Sequence, residues 1–576
     1  MKVILNKKKN YLHQKYQPGE TADIPDNIAR RWIDRGIAYY FNSGIYYEAN
    51  KINNLKVHDR VSIVVLVKDA LDYVKKCIKS IALYTDDYEL IIVDNGSKAE
   101  TKKFLENIGY VDYTLITNKK NMGVSYGWNQ GIKIAKSEYI CFINSDCQVT
   151  HDWLPRMFEG FGYTENVGIV GPSTSRTVPM QTIPESMGKY RVEDDNTINH
   201  YADIAPEHYT ITRLTAFCWI VKRKVFDEIG VFDWKRYGLA WHEDVDFTWR
   251  VDKAGFKMVW CTASYVHHFG GKTTSEMKLD TALRDENEKK LDKRKKLSNI
   301  YIANDVELGK IEIKTSKVSI IILVKDALPY FKKCLESLVK YTTSYELIIV
   351  DNGSKGSTKK YILEQQAALG YTLITNDENK GFAYGCNQGV KVATCNYICF
   401  LNSDTVLTKD WLRRLKAGFS LPDAGLIGPS TSCANSRQMV DGFYKRRFDM
   451  TDREIYNVPN VLPKGYEESY LTGFCLLTSR AVIDKIGVFD YHIAPIAYYE
   501  DVDFYNRTKK VGYKAYWIRH SYVHHYGHRT ATDLKLDSRR IATEALKRFN
   551  KKKDTDIYVV NDVEIVDVKK NKQTAG

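Results

Sequence analysis

The chain has 576 residues, too many for a single hydrophobic core, so we expect several domains. Hydrophobic residues make up 44% and charged residues 27%, an ordinary balance for a folded soluble protein. No stretch reaches the roughly 18 apolar residues that a membrane-spanning helix needs, and the first residues contain no apolar signal core. We therefore expect a cytoplasmic protein.

The formal net charge is +14, and basic residues cluster at 289–296 and 547–553. Such clusters are either solvated helix faces or contacts for an anionic partner, such as the inner membrane surface or a polyanionic glycan. Nucleic acid is not expected as a partner, because no nucleic-acid-binding motif accompanies the charge. The 11 cysteines show no paired CxxC spacing, which predicts reduced, buried thiols in a reducing compartment.

A long internal repeat dominates the sequence. Residues 61–98 and 318–355 are identical at 27 of 38 positions, and the offset of 257 residues recurs at the DNGS, ED and HH segments. A period of this length indicates a duplicated domain. We predict four parts, namely a small N-terminal module at 1–55, domains at 56–300 and 313–550, and a C-terminal extension at 551–576.

Within the N-terminal module, residues 27–34 predict a short helix. In the first repeat, strand-sized apolar runs alternate with helical periodicity. Their order is strand 61–67, helix 69–82, strand 89–93, helix 99–108, strand 113–117, helix 129–135 and strand 139–144. This alternation predicts an α/β domain with a mainly parallel central sheet, whose ligands bind beyond the carboxyl ends of the strands.

Carboxylates follow two of these predicted strands in each repeat. Asp94 and Asp146 stand at strand ends in the first repeat, and Asp351 and Asp404 stand at the same places in the second. A carboxylate after a strand can bind a hard cation, or it can cap a turn. Both interpretations of the NSD segments at 144–146 and 402–404 remain open at this point.

An acidic segment, EDVDF, occurs at 243–247 and again at 500–504. Acidic residues favour the first turn of a helix, and a carboxylate held there can also act as a general base facing a cleft. The two interpretations are compatible.

Five of the 13 histidines fall in the segments YVHHFGGKT at 265–273 and YVHHYGHRT at 522–530. A strand-end histidine can bind a metal or a diphosphate, or it can have a purely structural role. Lys272 and Arg529 in these segments can neutralise phosphate charge. The glycine-rich segments 121–131 and 379–389 allow close backbone approach or a tight turn, and neither matches a P-loop or a dinucleotide-binding fingerprint.

The ordered set VSIVVLVKDAL, ELIIVDNGS, NMGVSYGWNQG, LTAFCWIVKRKVFDEIGVFD, HEDVDFTW and YVHHFGGKT resembles family 2 glycosyltransferases. The second repeat carries the same set, and the resemblance covers nearly all of both repeats. It implies two tandem GT-A (nucleotide-diphospho-sugar transferase, Rossmann-like) domains. It also implies inverting transfer with Mn²⁺ or Mg²⁺.

Site residues follow from this resemblance position by position. Catalysis is assigned to Asp244, Asp501, Glu243 and Glu500, and metal binding to Asp146, His268, Asp404 and His525. Nucleotide-sugar binding is assigned to Asp94, Asp351, Lys68, Lys325, Asn129, Asn387, Asn144, Asn402, Lys272 and Arg529. The sequence departs from the family pattern at Asn144 and Asn402, which replace an aspartate, and at Lys68 and Lys325, which we expect at the diphosphate.

We therefore expect a bifunctional glycosyltransferase. Its donor is a UDP-, dTDP- or GDP-linked sugar, and its acceptor is a glycan, lipid-linked or protein hydroxyl. The stretches 176–213 and 433–470 barely match each other, which suggests different acceptors. The alternatives are a nucleotidyltransferase of the same fold, whose glycine-rich signature is missing, and a glycan-binding scaffold with an inactive site. The N-terminal module faintly resembles modules of phage proteins, which suggests a viral or prophage source.

Overall fold

The computed structural model describes residues 60–174, 181–182, 198, 209–271, 281–440, 448, 450–462, 464–527 and 537–551, together with the backbone of short strands near both ends of the chain. The chain divides into two compact units, Met1–Asp59 and Arg60–Gly576. The helix predicted for residues 27–34 lies outside the described residues.

The smaller unit contains short strands β1 (Lys2–Leu5), β2 (Lys9–Tyr11), β3 (Gln14–Tyr16), β4 (Thr21–Asp23) and β5 (Ala38–Tyr40). β1 lies between β4 and β5 and is antiparallel to both, and β2 and β3 form an antiparallel pair.

The first repeat supplies the following elements in chain order: β6 (Val61–Val67), α1 (Leu71–Tyr84), β7 (Tyr88–Asp94), α2 (Ala99–Glu106), β8 (Tyr113–Thr117), α3 (Val124–Ile134), β9 (Tyr139–Asn144), β10 (Cys147–Val149), α4 (Trp153–Glu159), β11 (Val167–Ser173), β12 (Tyr209–Ile211), β13 (Cys218–Lys222), α5 (Arg223–Ile229), α6 (Trp234–Tyr237), α7 (Glu243–Lys253), β14 (Lys257–His268), α8 (Thr281–Arg294) and β15 (Lys310–Lys314).

The second repeat supplies β16 (Val318–Val324), α9 (Leu328–Tyr341), β17 (Tyr345–Asn352), α10 (Gly356–Leu369), β18 (Thr372–Asn376), α11 (Phe382–Val392), β19 (Tyr397–Asn402), β20 (Thr405–Leu407), α12 (Trp411–Ala417), β21 (Ala424–Ser430), α13 (Asp452–Val461), β22 (Tyr466–Glu468), β23 (Cys475–Ser479), α14 (Arg480–Ile486), α15 (Glu500–Lys510), β24 (Lys514–His525), α16 (Ser538–Lys551) and β25 (Val568–Lys569).

Each repeat forms one sheet with the same strand order. The order is β10-β14-β11-β13-β9-β6-β7-β8-β15 in the first repeat and β20-β24-β21-β23-β19-β16-β17-β18-β25 in the second. Strands β9, β6, β7 and β8 are parallel, as the alternation of strands and helices predicted. Beyond them the sheet is mixed, because β13 runs antiparallel to both β9 and β11, and β15 runs antiparallel to β8. The predicted α/β class with two tandem domains is confirmed.

The central strands are buried on both faces. In β6, six of the seven residues are buried, and α1 covers them with an apolar face that includes Val74, Ile78 and Ile81. Burying each such side chain stabilises the fold by about 1.5–3 kcal/mol. Because the strands are buried on both faces and each helix on one, the sequence alternates strand-sized apolar runs with helical periodicity. Among the described residues, no helix combines the length and apolar character that crossing a bilayer requires.

The glycine-rich segment is helical, and α3 begins at Val124, five residues before the predicted start. Its glycines face the sheet, since a Cβ on Gly131 would lie 2.4 Å from Cγ1 of Val64. The glycines therefore allow the helix axis to approach β6 closely.

Ion pairs join the two repeats within the larger unit. Asp86, in the turn after α1, accepts hydrogen bonds from Arg413 Nη2 at 2.5 Å and Arg414 Nε at 2.9 Å. Lys416 Nζ donates to Asp112 Oδ1 at 2.8 Å. The cations all belong to α12 of the second repeat, so the contact joins unlike surfaces of two homologous domains.

Candidate active sites

Strand pairing brings a carboxylate and a histidine together in each repeat. β10 pairs with the last residues of β14, with Cys147 opposite His268, so Asp146 lies beside the imidazole. His268 Nε2 is 3.4 Å from Asp146 Oδ1, and the backbone N–H of Phe269 donates to the Asp146 carbonyl at 3.0 Å. The same register in the second repeat places His525 Nε2 3.3 Å from Asp404 Oδ1.

The donor atoms here suit a hard divalent cation. Ligand atoms of Asp146, Cys147 and His268 lie within 4.8 Å of one another. Burial raises the pKa of the Cys147 thiol well above its ordinary value, and Thr405 replaces this cysteine in the second repeat. The carboxylate and the imidazole are therefore the candidate ligands that both repeats share. Asn402 adds a buried Oδ1 that accepts no hydrogen bond from any described residue. Oxygen and imidazole donors of this kind fit Mn²⁺ or Mg²⁺.

The acidic segments begin helices α7 and α15. The residue before each helix and the one preceding it have left-handed backbone, with φ of 70° and 73° at Trp241 and His242 and of 77° and 70° at Tyr498 and Tyr499. Left-handed backbone at two successive bulky residues costs energy and persists only where the surroundings enforce it. This bend places the Glu-Asp pair in the first helical turn, where the helix dipole favours negative charge.

The two carboxyls of this pair differ in environment. Asp501 Oδ1 accepts the Val502 N–H at 2.8 Å, and Oδ2 accepts the Gly473 N–H at 2.9 Å. The Oε2 atom of Glu500 is buried and accepts no hydrogen bond from a described residue. Burial, with a smaller contribution from the adjacent Asp501 charge, raises the pKa of Glu500 to about 8.

Burial also raises the pKa of Asp501, but its two backbone donors stabilise the ionised form. The two backbone donors therefore favour the negative charge on Asp501, and burial favours the proton on Glu500. The first repeat has the same arrangement. Burial and the neighbouring Asp244 raise the pKa of Glu243 to about 8, and Asp244 accepts the Val245 N–H at 2.8 Å.

A cavity of about 740 Å³ in the second repeat joins these groups. It brings together predicted site residues from four separate stretches of the chain. They are Lys325, Asn402, Asp404, Glu500, Asp501 and His525. Within this set, Lys325 Nζ donates to the Gly353 carbonyl at 2.9 Å and pairs with Asp326.

Asp351, another predicted nucleotide-binding position of the second repeat, is not among the residues that line this cavity. Asp351 is 2% exposed, and its Oδ1 accepts the Ser354 N–H at 2.8 Å, which fixes the turn after β17. Asp94 makes the same contact with the Ser97 N–H at 2.8 Å. The neighbour Asn352, which sequence reasoning missed, lines the cavity.

Asn129 and Asn387 lie in the core of their repeats. Asn129 is fully buried, its Nδ2 donates to the Phe232 carbonyl at 2.8 Å, and its Oδ1 accepts the Phe232 N–H at 3.1 Å. Asn387 makes the equivalent pair of bonds with Phe489. Each amide thus joins helix α3 or α11 to the segment that leads into the acidic helix.

The remaining predicted positions in the first repeat are Lys68 and Asn144. Lys68 Nζ lies 2.5 Å from Asp69 Oδ2 and donates to the Gly96 carbonyl at 3.1 Å, as its counterpart does in the second repeat. Asn144 ends β9 and is half-buried. Lys272 and Arg529 lie outside the described residues.

Sequence reasoning also missed an aromatic wall. Tyr470, Tyr498 and Tyr499 line the cavity around Asp501. The signal was present in the sequence, because Tyr498 and Tyr499 directly precede the acidic segment at 500–504.

The model of the family described as glycosyl transferase family 2 matches residues 62–230 and 319–487, which together exceed half of the chain. Chondroitin synthase of Escherichia coli is 25% identical over 367 residues, covering 56% of this chain and 51% of that protein. Poly-beta-1,6-N-acetyl-D-glucosamine synthase of Staphylococcus aureus is 28% identical over 143 residues, covering 24% of this chain and 35% of that protein.

Among solved structures, a mannosyltransferase of Pyrobaculum calidifontis in complex with GDP-Man and Mn²⁺ aligns with a TM-score of 0.30 and 15% identity, over 41% of this chain and 64% of that one. The chain spans about half of the length of the chondroitin synthase and about a third of the length of the poly-beta-1,6-N-acetyl-D-glucosamine synthase. Since the family model covers both repeats and most of the chain, this protein belongs to glycosyl transferase family 2.

Proposed function

We propose that each repeat is the catalytic domain of an inverting, metal-dependent glycosyltransferase that moves a sugar from a nucleotide-diphosphate donor to an acceptor hydroxyl. The observation that supports this proposal most directly is the single cavity that joins Asp404 and His525 with Glu500 and Asp501. Sugar transfer needs a base for the acceptor hydroxyl and positive charge for the diphosphate, and this cavity contains groups suited to both.

In this proposal Asp501 accepts the proton of the acceptor hydroxyl as that oxygen attacks the anomeric carbon. Its backbone donors fix the carboxylate and keep it ionised, while Glu500 stays protonated and donates a hydrogen bond to the acceptor. The sugar–phosphate bond breaks on the opposite face, so the anomeric configuration inverts.

Asp404, His525 and Asn402 would hold the divalent cation, which offsets the charge of the nucleoside diphosphate as it departs. Lys325 reaches the same cavity and is assigned to the diphosphate. The equivalent residues Asp146, His268, Asn144 and Lys68 have these roles in the first repeat.

Two complete sets of groups suggest a bifunctional enzyme whose sites transfer different sugars or use different acceptors. Relatives named as synthases of chondroitin and of a poly-N-acetylglucosamine support a polysaccharide product. We place the reaction in the cytoplasm, with the exposed basic residues of α8 and α16 available to an anionic glycan or membrane surface.

The test is an assay of donor panels (UDP-, dTDP- and GDP-sugars) with Mn²⁺ and with EDTA. Metal-dependent release of nucleoside diphosphate supports glycosyl transfer, whereas release of pyrophosphate supports a nucleotidyltransferase. Absence of both products across the panel supports a glycan-binding scaffold.

Asp244→Asn and Asp501→Asn then separate the two sites. We expect each variant to abolish a different linkage, read by mass spectrometry and NMR of the products. Identical products from both variants would contradict bifunctionality.

A further inference from the structure

The two repeats differ at one position directly beside the proposed base. Arg213 in the first repeat aligns with Tyr470 in the second, at the offset of 257 residues. This position lies in the stretch where the repeats barely match by sequence, so the alignment must be established from the structure.

Hydrogen bonds on both sides fix the equivalence. One residue earlier, the Thr212 N–H donates to the Met258 carbonyl at 3.0 Å, as the Ser469 N–H does to Ala515 at 3.0 Å. The residues that follow also match.

Two residues later, the Thr215 N–H donates to Gln181 Oε1 at 2.7 Å, as the Thr472 N–H does to Gln438 at 2.7 Å. Arg213 and Tyr470 therefore project from the same backbone position.

In the second repeat this position makes a neutral contact with the base. The Tyr470 hydroxyl interacts electrostatically with the Asp501 carboxylate, and the ring lines the cavity. Tyr505 supports it edge-on, with ring centroids 5.2 Å apart and planes at 89°.

In the first repeat the same position carries a charge. Arg213 is exposed, its guanidinium acts electrostatically on Asp244, and it makes no hydrogen bond or ion pair with any residue that the structure describes. Thr248 replaces the supporting Tyr505, and its hydroxyl bonds to the Asp244 carbonyl at 2.9 Å. Both members of the Tyr470–Tyr505 contact are thus different residues in the first repeat.

We propose that Arg213 is a specificity-determining residue that binds an anionic group of the acceptor in the first site, and that Tyr470 makes the second site selective for a neutral acceptor. The inference rests on the proposed function, because the base faces the acceptor hydroxyl and a side chain beside the base faces the acceptor. A guanidinium fork matches carboxylate and phosphate geometry, and a phenol does not.

The test uses the full chain with one site silenced at a time. Asp501→Asn leaves the first site active, and Asp244→Asn leaves the second. Each protein is assayed for nucleoside diphosphate release with the donor panel and three acceptors. These are an oligosaccharide ending in a hexuronic acid, its carboxyl-reduced form, and that neutral form phosphorylated at O6 of the terminal sugar.

We expect the first site to show a KM at least about tenfold lower for an anionic acceptor than for the carboxyl-reduced one, since a charge-assisted hydrogen bond is lost with the charge. Arg213→Gln should remove this preference by raising KM with little change in kcat, and Arg213→Lys should restore part of it. Preference for the acid identifies a carboxylate, and preference for the phosphorylated form identifies a phosphate.

The second site should favour the neutral acceptor, and Tyr470→Arg should shift it toward the anionic ones. Equal KM values for charged and neutral acceptors at the first site, or a preference that survives Arg213→Gln, would overturn the inference while transfer itself persists. If no donor yields nucleoside diphosphate with either protein, the proposed function fails instead.

Discussion

At the scale of single residues, the Glu-Asp pair divides two roles between neighbouring carboxyls. Both carboxyls enter the cavity at the start of α15, and Asp501 accepts the Gly473 and Val502 backbone N–H groups. Burial favours the proton on Glu500, whose Oε2 accepts no hydrogen bond from a described residue. A carboxyl that is already protonated can be replaced by its amide with little effect, whereas an ionised base cannot.

The first prediction concerns these substitutions at pH 7. Glu500→Gln in the protein with Asp244→Asn should retain activity within about tenfold, because the amide keeps a donor at the same place. Asp501→Asn in that protein should lower activity by about 10²–10⁴-fold, the usual contribution of a general base. Initial rates of nucleoside diphosphate release measure both, and equal losses would contradict the division of roles.

The second prediction concerns stability against pH. The folded pKa of Glu500, about 8, exceeds the ordinary value of 4.5, so the folded state holds a proton that the unfolded state has lost. This contribution to stability is fully present below pH 4.5 and is lost as pH rises to about 8. Glu500→Gln should therefore raise the melting temperature relative to wild type at pH 8 and change it least near pH 5. A difference that does not vary with pH would argue against a protonated glutamate.

At the scale of elements, a buried ion pair fixes the acidic helix. Arg507 Nε donates to Asp503 Oδ2 at 2.7 Å, and both side chains are 5% exposed. The guanidinium also donates to the Ile486 carbonyl and, at 2.8 Å, to the Val488 carbonyl. The arginine thus connects α15 to the segment after α14 and holds the turn that carries Asp501.

The third prediction follows from this contact. Arg507→Met should destabilise the second repeat by about 3–5 kcal/mol, because it removes the guanidinium that pairs with the buried Asp503 carboxylate. Lys360→Met, which removes an exposed pair with Glu364, is the matched control and should change stability by less than about 1 kcal/mol. Denaturant unfolding measures both, and similar changes for the two variants would contradict a structural role for Arg507.

At the scale of the larger unit, residues 60–576, ion pairs join the two repeats. The carboxylate belongs to the first repeat and the cations belong to the second. Asp86 has three cationic neighbours in Arg413, Arg414 and Lys464, which outweigh the effect of burial and hold the pKa of its carboxyl well below its usual range. The equivalent position in the second repeat is Thr343, which is exposed. The contact between the repeats is therefore heterologous, with different residues on its two sides.

The fourth prediction tests this contact. Asp86→Ala should weaken the docking of the repeats, because it removes the shared partner of three cations. Hydrogen exchange should rise in residues 411–417 and 85–88, and thermal unfolding should broaden or separate into two transitions. Thr343→Ala is the control and should leave exchange at both segments unchanged. Unaltered exchange in the Asp86 variant would show that the Asp86 ion pairs do not hold the repeats together.

Part of the basic clusters is structural, which the sequence alone did not separate. Arg294 at the end of α8 is 3% exposed, and its Nε lies 3.4 Å from the buried Asp246 carboxylate. Lys289 and Lys293 on the same helix are exposed. Arg294 is therefore not available to an anionic partner, whereas Lys289 and Lys293 are.

The sequence by itself determined the duplication, the fold class and most strand ends. Strands β6, β8 and β9 have the predicted bounds, because alternation of buried strands with amphipathic helices is a local pattern. The position of Asp146 and Asp404 just beyond strand ends could be predicted for the same reason, since the carboxyl ends of parallel strands meet at one edge.

Tertiary structure alone decided which polar residues face the cavity. Asn129 and Asn387 resemble ligand-binding amides in sequence, but each is satisfied by backbone groups more than 100 residues away. Tyr470 lies beside Asp501 because β22 pairs with β24, and Arg213 reaches Asp244 through the same pairing of β12 with β14. Such contacts depend on the register of strands far apart in the chain, which short-range periodicity does not encode.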